Sequence, residues 1–171
     1  MNNRYLKART LARSKHSGQY YGELPYYVHL EAVSRLATPF GTDAMIIAQL
    51  HDVMEDTETT VDELASDFGF LVADAVNYMT DGKLEDRAKR KAMINQRLAS
   101  LDADEESARL ALIVKACDRL ANVRASKSSS ERHYDMYKLE HASFKEAVYR
   151  KGLCEAIWWE LDNLIDPMTE Q

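Results

Sequence analysis

His51-Asp52 and, one turn later, Glu55-Asp56 close a stretch that is apolar nearly all round from Ala44 to Leu50. A helix over DAMIIAQLHDVMED would carry these groups out of the core, with His51 and Glu55 on one face. His51 and Asp52 differ in direction by about 100° and can still converge on one ion lying between them. A second stretch repeats the theme. Lys115, Asp118 and Asn122 form a polar stripe among Leu112, Ile113, Val114, Ala116, Cys117, Leu120, Ala121 and Val123. Burying a carboxylate costs several kcal/mol unless it is paired or bound to a metal. Two core helices with acidic stripes therefore point to a shared cation.

His29, after Pro25-Tyr26-Tyr27-Val28, is the natural third contributor. Two His and two Asp make a mixed nitrogen and oxygen set. That set suits Mn²⁺, Fe²⁺ or Zn²⁺ better than Ca²⁺. A divalent cation can lower the pKa of a bound water and polarise a phosphate, which is what phosphoester hydrolysis needs. In that chemistry Glu55 and Asp56 would orient the water or shuttle a proton. An exposed helix end is the plain alternative for the same pair.

The elements that must hold these residues read almost entirely as helix. Apolar periodicity predicts helices over about 3–15, 27–37, 43–56, 61–68, 70–79, 105–125 and 135–164. Thr60 with Glu63 spells a capping box, and Gly69 a stop. Gly18, Gly22 and Pro25 mark a loop, and Ser126 to Ser130 reads as a polar break. The segment 82–104 holds Lys83, Arg87, Lys89, Arg90, Lys91 and Arg97. It is either a phosphate-binding edge or a solvated helix face. The fold class is all-α, a single domain over residues 1–171.

At 171 residues and 46% hydrophobic, the chain can bury a full core without staples. A net charge of −6 speaks against a nucleic-acid partner, though a local patch or a metal can still bind a small phosphorylated ligand. Cys117 and Cys154 form no CxxC pair and read as reduced core thiols. The polar N-terminal stretch and the short apolar runs predict no signal peptide and no membrane span, hence a cytoplasmic protein. Trp158-Trp159 fits either core or a surface between two copies of the chain.

The order His29, His51-Asp52, Asp118 resembles the H…HD…D signature of the HD-domain metal-dependent phosphohydrolases, and most nearly their alarmone hydrolases. Ala12 to Gln19 (ARSKHSGQ) resembles A-x-x-x-H-x-x-Q, and Pro25 to His29 resembles P-Y-x-x-H. Leu50 to Thr57 (LHDVMEDT) resembles L-H-D-x-x-E-D-T, and Val114 to Val123 resembles V-K-L-A-D-R-L-x-N. Phe68-Gly69 and Thr80-Asp81 also fall in register, and the likeness runs from about residue 8 to 124. It implies an HD-type helical domain with His29, His51, Asp52 and Asp118 as metal ligands and Mn²⁺ as the expected ion. Glu55 and Asp56 would be catalytic, and Lys15, His16, Gln19, Lys115 and Asn122 would line a small nucleotide substrate. The implied reaction is removal of the 3′-pyrophosphate from ppGpp. Departures fall beside the nucleotide pocket: Tyr20-Tyr21 replaces basic residues, Ser14 an Arg, Leu30 a Pro, and Ala121 a His or Tyr. An HD nucleotidase or phosphodiesterase on another nucleotide, or a non-catalytic HD ligand sensor, is compatible with the same residues.

Overall fold

The computed structural model describes residues 2–82 and 84–166. Lys83 of the basic segment lies outside them. The elements run α1 (Asn3–Lys15), β1 (Tyr20–Tyr21), β2 (Leu24–Pro25), α2 (Tyr27–Ala37), α3 (Thr42–Leu50), α4 (Val53–Asp56), α5 (Val61–Phe68), α6 (Phe70–Met79), α7 (Arg87–Ala99), α8 (Glu106–Ser129), α9 (Glu131–Val148) and α10 (Glu155–Ile165). A 3-10 turn at Thr38–Phe40 joins α2 to α3. The all-α expectation holds; β1 and β2 form one antiparallel hairpin with Tyr21 opposite Leu24.

α8 is the axis. It packs against α2, α3, α6, α9 and α10, because its apolar residues occupy most of its circumference. α3 sits in the same core, with Ala44, Ile46, Ile47, Ala48, Gln49 and Leu50 all buried. Gln49 keeps one amide bond inside by donating to the Tyr5 hydroxyl at 3.1 Å. Truncating Leu50 or Leu112, both fully buried, would cost about 2–5 kcal/mol. The capping box of α5 forms as the sequence spells it: the Thr60 hydroxyl accepts from Glu63 N and the Glu63 carboxylate accepts from Thr60 N. Gly69, at φ +89°, ends α5 and lets α6 start directly.

Three sequence expectations need correcting. The helix over 43–56 is broken after Leu50, and His51 and Asp52 form a turn before α4. The His51 imidazole there donates from Nδ1 to the Ala48 carbonyl at 2.7 Å, occupying an acceptor at the helix end. His51 and Glu55 therefore do not share one continuous helix.

Ser126–Ser129 is not a break but the last turn of α8. Ser126, Ser128 and Ser129 fold their hydroxyls back onto the Val123 and Ala125 carbonyls, and Ser130 caps α9 by accepting from His133 N. The helix over 135–164 is two helices, α9 and α10, separated at 149–154 where Gly152 (φ +84°) and Cys154 (φ +47°) take left-handed backbone. Apolar spacing continues across that corner, which hides it from periodicity.

The basic helix α7 is tied down on several sides. Arg87 donates to both carboxylate oxygens of Glu140 on α9, at 2.9 and 3.2 Å, and Arg119 of α8 shares that carboxylate at 3.1 Å. Arg97 donates to the Asn77 and Thr80 carbonyls at the end of α6, and Arg90 donates to the Leu84 carbonyl. The arginine charges of the segment are thus answered by protein acceptors. No helix among the described residues is long and apolar enough to cross a membrane. Cys117 and Cys154 are buried and unbridged, Trp158 is core, and Trp159 is exposed.

Candidate active site

Three elements meet at one point. α2 brings His29, the turn after α3 brings His51 and Asp52, and α8 brings Asp118. His51 Nε2 lies 2.9 Å from Asp52 Oδ2 and 3.5 Å from Asp118 Oδ1; His29 Nε2 lies 3.2 Å from Asp118 Oδ1 and 3.8 Å from Asp52 Oδ2. Ligand atoms of His29, His51 and Asp118 all fall within 4.8 Å of one another. All four predicted metal-site residues are thus gathered.

The donor set fits a cation. His51 donates from Nδ1 to Ala48, so in its neutral form Nε2 presents a lone pair. That lone pair faces two carboxylate oxygens and a second imidazole nitrogen. Such separations are what ligands about 2.0–2.2 Å from one ion show between themselves. Burial opposes a proton on His51, but Asp52 and Asp118 outweigh it and push its pKa well above the usual histidine range. Burial would raise Asp118, but hydrogen bonds with His29 and His51 hold it well below the usual carboxylate range; Asp52 is lowered in the same way, chiefly against burial by His51. The pocket calls for positive charge at one point.

Glu55, half-buried, accepts from Asp81 N at 3.2 Å. Burial first, and then the charge of Asp81, push its pKa up. Asp56 is more exposed, and burial together with Asp52 raises it as well. Lys115 is buried, donating to the Met79 carbonyl at 3.4 Å with Asp118 Oδ2 at 3.8 Å. Burial would neutralise it, but Asp118 and Asp81 outweigh burial and keep it charged. Asn122 donates from Nδ2 to Asp118 Oδ1 at 2.6 Å, so this residue holds a carboxylate of the cluster.

The other predicted binding residues are spread wider. His16 is buried, stacked on Tyr26 at 4.7 Å, with Nδ1 against Gln19 Oε1 at 2.7 Å. Its Nε2 has no hydrogen-bond partner among the described residues. Gln19 donates to the Asp56 carbonyl at 3.0 Å, which ties the hairpin to α4. Lys15 is exposed on the last turn of α1, along a groove shared with Thr59, Asp62 and Glu63.

Residue types alone left some functional neighbours out. Tyr26 donates to Asp52 Oδ2 at 2.7 Å. Asp81 is almost fully buried and pairs Lys91 at 2.5 Å, with Arg90 at 3.5 Å. Its sequence signals are the Thr80-Asp81 register and its place just after the apolar run of α6. Tyr21 stacks on His29 at 4.7 Å and donates to Asn122 Oδ1 at 2.8 Å. It is therefore engaged with the site, while Tyr20 is 69% exposed on the opposite face of the hairpin.

A scan of protein-family models finds no match to the chain. Individual proteins do match. The zebrafish (Danio rerio) guanosine-3′,5′-bis(diphosphate) 3′-pyrophosphohydrolase MESH1 is 34% identical over 126 residues, covering 70% of this chain and 67% of that protein. The human MESH1 is 30% identical over 155 residues, covering 86% and 83%. The chain belongs to the HD-type guanosine-3′,5′-bis(diphosphate) 3′-pyrophosphohydrolase family. A Haemophilus influenzae enzyme of the same name is 35% identical over 119 residues, which are 67% of this chain and 17% of that longer protein. In fold, a metazoan orthologue of SpoT described as hydrolysing ppGpp superposes with a TM-score of 0.81 at 23% identity, covering 96% of this chain and 94% of that one. A Listeria monocytogenes protein superposes with a TM-score of 0.61 at 25% identity, covering 85% and 100%. For a member of the pyrophosphohydrolase family, the gathered His29, His51, Asp52 and Asp118 are the feature that needs a function.

Proposed function

We propose that this chain is a divalent-metal-dependent hydrolase that removes the 3′-pyrophosphate of ppGpp, giving GDP and pyrophosphate. The observation that carries it is the convergence of two imidazole nitrogens and two carboxylates beside a half-buried Glu55. Family membership supports the substrate. His29, His51, Asp52 and Asp118 would hold the ion, and Mn²⁺ is the ion we assign to this mixed set. A bound divalent cation supplies Lewis acidity toward the phosphoryl oxygens and an acidified water.

The chain's own groups do the rest. Glu55, with its pKa raised by burial, takes the proton of the attacking water as general base. Water adds to the phosphorus attached to the ribose 3′-oxygen, the bond from that phosphorus to the 3′-oxygen breaks, and the 3′-oxygen leaves as the hydroxyl after gaining a proton. Asp56 is placed on the same helical turn to hand a proton on. Lys115 and Lys91, on either side of Asp81, supply positive charge toward phosphate without meeting it in a carboxylate-only pocket. The reaction belongs to the cytoplasmic nucleotide pool, where both thiols stay reduced.

The experiment is turnover on a nucleotide panel by the purified chain loaded with Mn²⁺. Pyrophosphate released from ppGpp, with GDP, GTP and deoxynucleoside monophosphates left intact, is the expected result. Hydrolysis of the monophosphates with none of ppGpp would leave only the HD phosphohydrolase class. Metal binding with no turnover of any nucleotide would make the chain a ligand sensor.

A further inference from the structure

Tyr21 reaches the cluster by two routes at once. Its ring lies on the His29 imidazole, centroids 4.7 Å apart and planes within 14°. Its hydroxyl donates to Asn122 Oδ1 at 2.8 Å, and Asn122 Nδ2 donates to Asp118 Oδ1 at 2.6 Å. The direction of this chain is forced. An ionised Asp118 can only accept, so the amide must turn its NH₂ toward it. The amide oxygen then faces Tyr21 and needs a donor, which the phenol provides. Each bond polarises the next, and the pair is stronger than two separate bonds.

The hairpin explains why this tyrosine and not its neighbour does so. Tyr21 pairs with Leu24 across Gly22-Glu23, and Gly22 takes φ +62° to make the tight return. Successive side chains of a strand point to opposite faces, so Tyr21 covers the site while Tyr20 projects into solvent. Asp118 Oδ1, held by Asn122, is the atom that faces both His29 and His51.

We propose that Tyr21 is a positioning residue of the metal centre, fixing Asp118 through the Asn122 amide and buttressing the His29 ring. This rests on the metal-dependent reading above. Partners that orient ligands from behind are typically worth about 10–100-fold in metal affinity.

The test is calorimetric titration of the metal-free protein with Mn²⁺, with folding checked by circular dichroism. Tyr21→Phe, which keeps the ring and loses the hydroxyl, should bind Mn²⁺ about 10-fold or more weakly. Tyr21→Leu, which also loses the stacking, should bind more weakly still. Asn122→Ala should weaken binding as much as Tyr21→Phe does, and the double variant Tyr21→Phe/Asn122→Ala should be no weaker than Asn122→Ala alone. Tyr20→Phe should bind as wild type does. With saturating Mn²⁺, Tyr21→Phe should recover most of its kcat with an unchanged KM. Wild-type affinity in folded Tyr21→Phe, or additive losses in the double variant, would overturn the inference while leaving the metal site standing. A raised KM with unchanged Mn²⁺ affinity would make Tyr21 a substrate contact and overturn it too. Wild-type protein that binds no divalent ion would instead remove the functional reading and the inference with it.

Discussion

His29 Nε2 and His51 Nε2 lie 3.3 Å apart, both directed at the carboxylates of Asp52 and Asp118. Neutral imidazoles that face each other with lone pairs repel, so the arrangement is stable only around a cation or a proton. Mn²⁺ should therefore stabilise the fold. At a free concentration about 100 times its dissociation constant the gain is about 2.7 kcal/mol, seen as a higher Tm that chelator reverses. Asp118→Ala and Asp52→Ala should keep the helical spectrum and lose both the bound metal and the Mn²⁺-dependent rise. Full metal occupancy in both variants would exclude the assignment.

Glu55 separates chemistry from metal holding. It accepts from the Asp81 backbone N–H and makes no ion pair with His29 or His51 among the described residues. Glu55→Gln preserves shape and removes the base, so kcat should fall by about 10²–10⁴ with Mn²⁺ content unchanged. Parallel loss of metal and activity would make Glu55 a ligand.

The gathering of His29, His51, Asp52 and Asp118 was legible because adjacent His-Asp at the end of an apolar run and an acid on a buried stripe have few structural uses. Asp118 and His51 stand out on that ground alone, and their local strings carry the order. Asp81 was less legible. Its partners, Lys91 and Arg90, lie on the next helix, and the Thr80-Asp81 register does not by itself separate a buried acid after α6 from a loop acid. Tyr21 reads as a loop aromatic, and only the hairpin register turns it toward Asn122, 101 positions further along the chain. Helix ends were legible where a cap spells them, as at Thr60 and Gly69. They were not legible where a side chain rather than a residue type sets the ending, as at His51, or where serines fold back onto their own helix, as at Ser126.

Asp81 should prove a structural keystone beside the site. Its carboxylate is 1% exposed and holds Lys91 at 2.5 Å. Burial and the nearby charge of Lys115 already push the Lys91 pKa down, so removing Asp81 strands one lysine beside another. Breaking a fully buried pair costs about 3–5 kcal/mol. Lys91 is about a quarter exposed (24%), so Asp81→Ala should cost less, about 2–3 kcal/mol in urea unfolding. Asp81→Ala/Lys91→Met should regain part of that loss. A double variant no more stable than the single would mean the cost is packing and not charge.

A pH test far from the metal site is offered by Asp162 on α10. Burial would raise its pKa, but hydrogen bonds from Lys145 and His141 outweigh burial and lower it. Lys145 Nζ lies 2.6 Å and His141 Nε2 2.9 Å from its two oxygens, clamping α9 to α10. The sign follows from linkage. A carboxyl whose folded pKa lies below its unfolded value of about 3.9 contributes stability that is full above that value. The contribution is lost as pH falls through the folded pKa, because both states are then protonated. Asp162→Asn should therefore be less stable than wild type at pH 7 and at pH 5. The two should converge as pH drops below about 3.9. The pair is 37% and 42% exposed, so water and salt screen it and the deficit at pH 7 should stay below about 1 kcal/mol. Urea unfolding of both proteins at pH 7, 5 and 3.5 measures it. A deficit that stays constant across that range would assign the loss to the shape of the α9–α10 contact and not to the Asp162 charge.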